Sequence, residues 1–306
     1  MTTAASNRLF FGIMLMVVAM LVLPFMDATV KLLSSRYPIL QLIWARFFFH
    51  FLLVLPFVVI RYGKQAIRAA HPVLLLSPGL FLLVASGLFF AAIQYIPLAD
   101  AIAILFVDAV IVVALSPLVL GEYVPARRWI TCAAGFLAIL IIIRPGGTEF
   151  HWASLLALAA ALFWALYFLS TRVMSVQVPP LLMLGWQSVS GFVLMTAALP
   201  FYWVTPTLVD GILMVVIGGI GAVGHLLFIR ASSLAHASLL APLRYLEIVM
   251  QVVLGYWLFG DFPDLWAWVG IALIIGVGVY LGRTELVQSV PGKLQVKVDD
   301  GNHTVR

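Results

Sequence analysis

Ser233–Asp261, SLAHASLLAPLRYLEIVMQVVLGYWLFGD, reads as a membrane-spanning helix, yet it carries Arg244 and Glu247 inside an apolar run. A charge at bilayer depth costs about 2.5–3.5 kcal/mol on insertion scales, so such residues face a bundle interior or a wet cavity and have a partner. Three positions apart on a helix, Arg244 and Glu247 are neighbours and a first candidate pair. Tyr95–Glu122, 139 residues earlier, reads YIPLADAIAILFVDAVIVVALSPLVLGE. Asp108 aligns with Glu247, Phe106 with Tyr245, Gly121 with Gly260, Glu122 with Asp261 and Arg144 with Arg283, without a gap. The chain reads as two copies of one unit, each with an acid inside its fourth helix.

Composition agrees with a membrane setting. The 306 residues are 64% hydrophobic and 9% charged, against about 25% charged in soluble domains. Mean hydropathy is +1.15. At ~25–30 residues per span and loop, the length allows about ten helices. The apolar runs place them near Leu9–Leu32, Ile39–Ile60, Val73–Tyr95, Leu98–Leu120, Trp129–Ile143, Trp152–Thr171, Leu181–Trp203, Gly211–Ile229, Ala237–Phe259 and Leu265–Leu281. The runs are too long for strands and show no alternation. Ala153, Ala157, Ala161 and Ala165 form a small-residue stripe suited to close helix packing. The single cysteine, Cys132, excludes an intrachain disulfide. A cleaved signal peptide is not expected, because Phe10–Met26 leads straight into further spans. Thr284–Arg306 reads as a polar cytoplasmic tail without fixed structure.

Orientation follows from the basic residues. With the N-terminus inside, the inside segments hold twelve of the 17 Lys and Arg, and the outside segments hold three, Lys31, Arg36 and Arg144. Arg46 and Arg244 lie at membrane depth. That asymmetry puts both termini in the cytoplasm.

Five helices per copy is an odd number, so the copies run oppositely across the bilayer. Their loops agree: Gly121–Arg128 carries two arginines, whereas Gly260–Ala267 carries two aspartates and no base. The first two helices of each copy match more weakly, at an offset of 141: Lys31 on Arg172, Pro38 on Pro179 and Arg46 on Gln187. The expected fold is therefore an all-α membrane protein, ten transmembrane helices in two inverted five-helix repeats, residues 10–144 and 152–283. Inverted repeats are an architecture of secondary transporters, with the site near the midplane between the halves.

Over residues 10–283 this pattern resembles the drug/metabolite transporter superfamily, specifically its ten-helix EamA type. The resemblance is carried by the acid in each fourth helix, the Gly-acid pairs Gly121-Glu122 and Gly260-Asp261, and the Gly- and Ala-rich fifth helices. In the first copy, Asp27-Ala-Thr-Val-Lys31, Tyr37-Pro38 and Trp44-Ala-Arg46 resemble the family's opening helix pair. One departure is Gln187, which stands where the first copy has Arg46, so that arginine is not duplicated. The resemblance implies movement of a small organic metabolite, by uptake or efflux, without ATP. Its members include amino-acid exporters, nucleotide-sugar relatives, S-adenosylmethionine and riboflavin importers and metallophore exporters.

The polar residues of the spans are the candidate site. Asp27 and Lys31 are four apart and face one way on the first helix, as a structural ion pair or as an outer-gate or substrate contact, and Asp27 is a candidate substrate-binding residue. Arg46 either snorkels to the headgroups or faces inward, where its planar fork suits a carboxylate or phosphate of the substrate. His50, one turn further, reads as a helix–helix hydrogen bond. Asp108 has no base within four positions; Arg46 and Arg244 are the available partners. Arg46, Asp108, Arg244 and Glu247 are expected to form the polar floor of the site, as working groups or as structural pairs. Tyr95, Trp164, Gln187 and Tyr245 are candidate wall residues, with Gln94, His225 and Gln251 beside them. Each is also readable as packing. Asp100 and His236 read as helix-end residues.

Three functional classes compete. A secondary carrier explains the inverted repeat and the buried charges. A membrane-embedded enzyme acting on a lipid-linked substrate needs a clustered nucleophile, base or metal set. The sequence has no Gly-x-Ser-x-Gly, His-Glu-x-x-His or P-loop. A channel or scaffold is the third. The chain is read as a non-enzyme without cofactor or metal. Its expected partners are a small-molecule substrate, the lipid bilayer of a bacterial inner membrane, protons coupled through Asp108 and Glu247, and a second copy in a homodimer. Nucleic acid is not among them.

Overall fold

The computed structural model describes residues 3–63, 72–120, 126–143, 150–175, 178–234, 243–244 and 246–289. Lipid offers no hydrogen bonds, so each apolar run satisfies its own backbone as a helix. The helices are α1 (Thr3–Leu33), α2 (Ile39–Tyr62), α3 (Pro72–Ile93), α4 (Leu98–Leu105), α5 (Asp108–Leu120), α6 (Ala126–Ile143), α7 (Ala153–Ser175), α8 (Pro180–Ala198), α9 (Leu208–Leu234), α10 (Leu246–Phe259) and α11 (Leu265–Ser289). No strand occurs among the described residues. Six stretches, in α1, α2, α3, α7, α8 and α9, are long and apolar enough to cross a membrane; α10 and parts of α6 and α11 are shorter apolar helices.

Three sequence expectations change. The fourth span is two helices, because the ladder tightens at Phe106–Val107, where Val107 N–H donates to Ile104 O at 3.1 Å. A single i→i−3 bond of this kind is a 3₁₀ step, and it starts a new helix at Asp108. In the ninth span, Leu243 and Arg244 form a 3₁₀ turn ahead of the helix that runs from Leu246. The last helix runs beyond Leu281 to Ser289, into the stretch read as a tail.

Helix packing places the site. α1 lies on α9 and α10, while α7 lies on α3, α4 and α5. α2 packs on α8 and α9, α3 on α8, α4 on α10, and α6 on both α5 and α11. Close approach depends on missing side chains at two crossings. A Cβ at Gly79 of α3 would run into the Gln187 backbone and the Ser190 hydroxyl of α8. One at Gly218 of α9 would run into Phe49 and the His50 backbone nitrogen of α2. The alanine stripe of α7 is fully buried, as small residues in a lipid-phase interface should be. Outward faces carry exposed Phe57, Ile60 and Trp257. Gly260, left-handed at φ 70°, ends α10. Its N–H reaches Tyr256 O at 3.0 Å, and the turn carries Asp261 back toward α1.

Candidate functional site

A closed polar cavity sits where α1, α2, α3, α4, α7, α9 and α10 converge. Asp27, Arg46, Ser86, Trp164, His225 and Glu247 supply its polar lining, against Leu23, Met26, Phe89, Ile102 and Leu105. Its free volume is about 20 Å³, room for about one water. Asp27 is 5% exposed and accepts a 2.7 Å hydrogen bond from the Gln251 amide of α10. Glu247, buried in the first turn of α10, turns its carboxylate to the same space.

Arg46 does not snorkel. It is 2% exposed, donates to Ser86 Oγ at 2.7 Å and meets His225 Nε2 at 2.8 Å. Its guanidinium lies 5.6 Å from the Phe47 ring centre and 5.4 Å from that of Phe90. Tyr167 Oη stands 3.3 Å from the other nitrogen of His225. The Trp164 indole packs on Tyr167 and on His225, with ring centres 5.4 and 6.0 Å apart. A buried guanidinium needs such partners, because each unsatisfied donor in the interior costs free energy.

The Arg244–Glu247 helix pair is replaced by an interhelix pair. Arg244 Nη2 meets Asp108 Oδ2 at 2.8 Å, and its guanidinium lies 5.2 Å from the Phe106 ring. Arg244 lies in the turn before α10, not on its helical face, so the three-residue spacing no longer aims it at Glu247. Asp108 and Glu247 each occupy the first turn of a helix. The positive end of the helix dipole favours an acid there, typically by about 0.3–1 kcal/mol.

Asp27 and Lys31 likewise part company. Lys31, one turn nearer the end of α1, pairs with Asp261 at 2.7 Å and donates to Ile96 O at 3.2 Å. Asp27 turns into the cavity toward α10. The face they share on α1 meets two different neighbours, and each side chain takes the nearer one. At the same end of the bundle, Arg36 pairs with buried Asp210 at 2.9 Å, and Tyr37 Oη donates to it at 2.8 Å. The Gln41 side chain bonds the Val204 backbone from both its atoms, at 2.7 and 2.9 Å. These contacts close that end.

Of the site residues read from the sequence, Asp27, Arg46, Trp164 and Glu247 meet in the cavity. Asp108 and Arg244 form their own pair outside its lining. Gln187 is buried on α8 at the crossing with Gly79, also outside the lining. Tyr95 is 55% exposed and stacks on His151 and Trp152 at the end of α3. Tyr245 lies outside the described residues. His50 makes no hydrogen bond among the described residues and instead stacks near His225, with ring centres 6.4 Å apart. Ser86 and Tyr167 escaped the sequence reading. Ordinary polar residues in apolar helices, they gain meaning only from Arg46 and His225 opposite.

A membrane bundle closed around buried charges at the meeting point of its helices defines a multi-pass integral membrane protein with an internal polar site. The chain belongs to the EamA-like transporter family, whose sequence model matches residues 10–144 and again 151–282. It is 28% identical to an S-adenosylmethionine uptake transporter of Rickettsia bellii, over 85% of this chain and 89% of that protein. It is 27% identical to a riboflavin transporter of Rhizobium johnstonii, over 92% and 93% of the two chains. It is 26% identical to the pseudopaline exporter CntI of Pseudomonas aeruginosa, over 90% and 96%. A solved crystal structure aligns over 94% of this chain and 99% of its own at a TM-score of 0.62, with 18% identity, a likeness of fold.

Proposed function

We propose that the chain is a secondary transporter. It moves a small organic metabolite across the bacterial cytoplasmic membrane by alternating access between two inverted five-helix repeats, residues 10–144 and 152–283. The observation that carries this reading is a pair of repeat-related helix starts. Asp108 and Glu247, 139 positions apart, are each buried in the first turn of a helix, one after the turn at Phe106–Val107 and the other after the 3₁₀ turn at Leu243–Arg244. Helix N-termini at corresponding places of two halves mark transporter binding sites. The packing supports the same symmetry. When the repeats exchange, the α1–α9 contact becomes α7–α3, α2–α9 becomes α8–α3, and α1–α10 becomes the contact of α7 with α4 and α5.

In this reading α4 and α5 together form one span, both termini are cytoplasmic, and Lys31, Arg36, Asp210 and Asp261 sit at the outer end. The structure then corresponds to a state closed to the outside, with the cavity shut around Asp27, Arg46, Trp164 and Glu247. The substrate is of the kind named for the relatives, S-adenosylmethionine, riboflavin or pseudopaline, or is an amino-acid-like solute. Protons are the proposed coupling ion.

Counterflow in proteoliposomes tests this. A carrier gives saturable uptake of labelled solute that is stimulated by the same solute inside. Linear, unstimulated flux of every solute moved indicates a channel, and chemical conversion of the solute indicates an enzyme. Either result overturns the proposal.

A further inference from the structure

The charges around the cavity are not equally available to a ligand. Arg46 is held by Ser86 and His225, with Phe47 and Phe90 near its guanidinium. Arg244 is held by Asp108. Arg244 is thus engaged by an acid, and Arg46 by two neutral groups, with its Nε left without a hydrogen-bond partner among the described residues. The acids differ. Glu247 lines the cavity, no described residue donates a hydrogen bond to its carboxylate, and its charged neighbours are Asp27, Arg244 and Asp108. Asp27 receives one donor, from Gln251, whereas an ionised carboxylate accepts about four. The indole of Trp164 and the ring of Phe89 complete the wall, and aromatic faces attract cations.

From this we infer that the site selects a solute carrying a positively charged centre, such as a sulfonium or quaternary ammonium. That centre is held between Asp27 and Glu247 against Trp164. The inference rests on the carrier reading and adds a charge class to it. Arg46 becomes a positioning residue that fixes Ser86 and His225 and offsets one of the two acids. Three acids, Asp27, Asp108 and Glu247, face two arginines, Arg46 and Arg244, and leave the cluster short of a cation, which the solute supplies. The present volume of about 20 Å³ is far below the roughly 300 Å³ of a small-molecule site. Binding therefore needs the halves to part: the Arg46–Ser86 bond lies within one half and stays, while the Arg46–His225 and Asp27–Gln251 contacts cross between the halves and open.

The test uses the full chain in proteoliposomes and four probes: S-adenosylmethionine, its thioether S-adenosylhomocysteine, which is neutral at sulfur, riboflavin and glutamate. The first two differ by one methyl group and the charge on sulfur. Binding is read from thermal stabilisation and transport from counterflow. The wild type should prefer the sulfonium to the thioether by ~10-fold or more, the equivalent of about 1.4 kcal/mol. Glu247→Gln should reduce that ratio to near one, whereas a structural role weakens both probes alike and leaves the ratio unchanged. Asp27→Asn is read in the same way, so that failure of one variant to fold leaves the other to decide. Preference for glutamate, riboflavin or the thioether in the wild type overturns the charge class, as does an undiminished sulfonium preference in the folded variants. If no probe binds or moves, the charge class falls, while the counterflow result for other solutes still decides the carrier reading.

Discussion

Arg244 and Asp108 meet at 2.8 Å across 136 residues of sequence. The pair ties the turn before α10 to the N-terminus of α5. Their side chains are 12% and 0% exposed, so the charges are largely withdrawn from solvent.

That burial makes single and double substitutions differ. Arg244→Met strands the Asp108 carboxylate, and removal of one partner of a buried pair costs about 3–5 kcal/mol. The double variant Arg244→Met with Asp108→Leu should recover most of this loss, because apolar replacement of both partners is often neutral or stabilising. Thermal unfolding in one detergent checks it. A double variant no more stable than the single one contradicts a pairing role.

Lys31 and Asp261 tie α1 to the turn after α10. Cysteines at these two positions, on a Cys132→Ser background, should crosslink readily in the closed state. The crosslink is expected to abolish counterflow, and reduction to restore it. Full transport by the crosslinked protein shows that this end need not open.

Gly79 and Gly218 sit where helix backbones nearly touch. Gly79→Ala and Gly218→Ala should each destabilise by about 1–3 kcal/mol, the cost of overpacking a tight interface. Gly211 has nothing within 4 Å of a built Cβ, so Gly211→Ala serves as the neutral control. Equal melting temperatures for all three variants show that the crossings have slack.

Topology is open to chemical labelling. Single cysteines replacing Gln65 and Phe262 should react from opposite sides of the membrane, with only position 262 reached by impermeant reagent from outside. The reverse pattern inverts the orientation drawn from the twelve and three basic residues.

The sequence by itself determined the membrane-embedded helical class and the family. Lipid is a severe solvent: it forces long apolar runs and makes every intramembrane charge conspicuous. Hence Asp27, Arg46, Trp164 and Glu247, picked from sequence alone, all line one cavity. Only the tertiary structure decided the partners. Helical spacing says which residues share a face, not which helix lies opposite, so Asp27 went to Gln251 and Lys31 to Asp261. The break before Asp108 was likewise illegible, because Leu105-Phe106-Val107 contains no glycine or proline. The cluster of Ser86, Tyr167 and His225 around Arg46 draws on four helices. It exists only once α2, α3, α7 and α9 are packed, since burial of the guanidinium is what makes those ordinary polar side chains necessary.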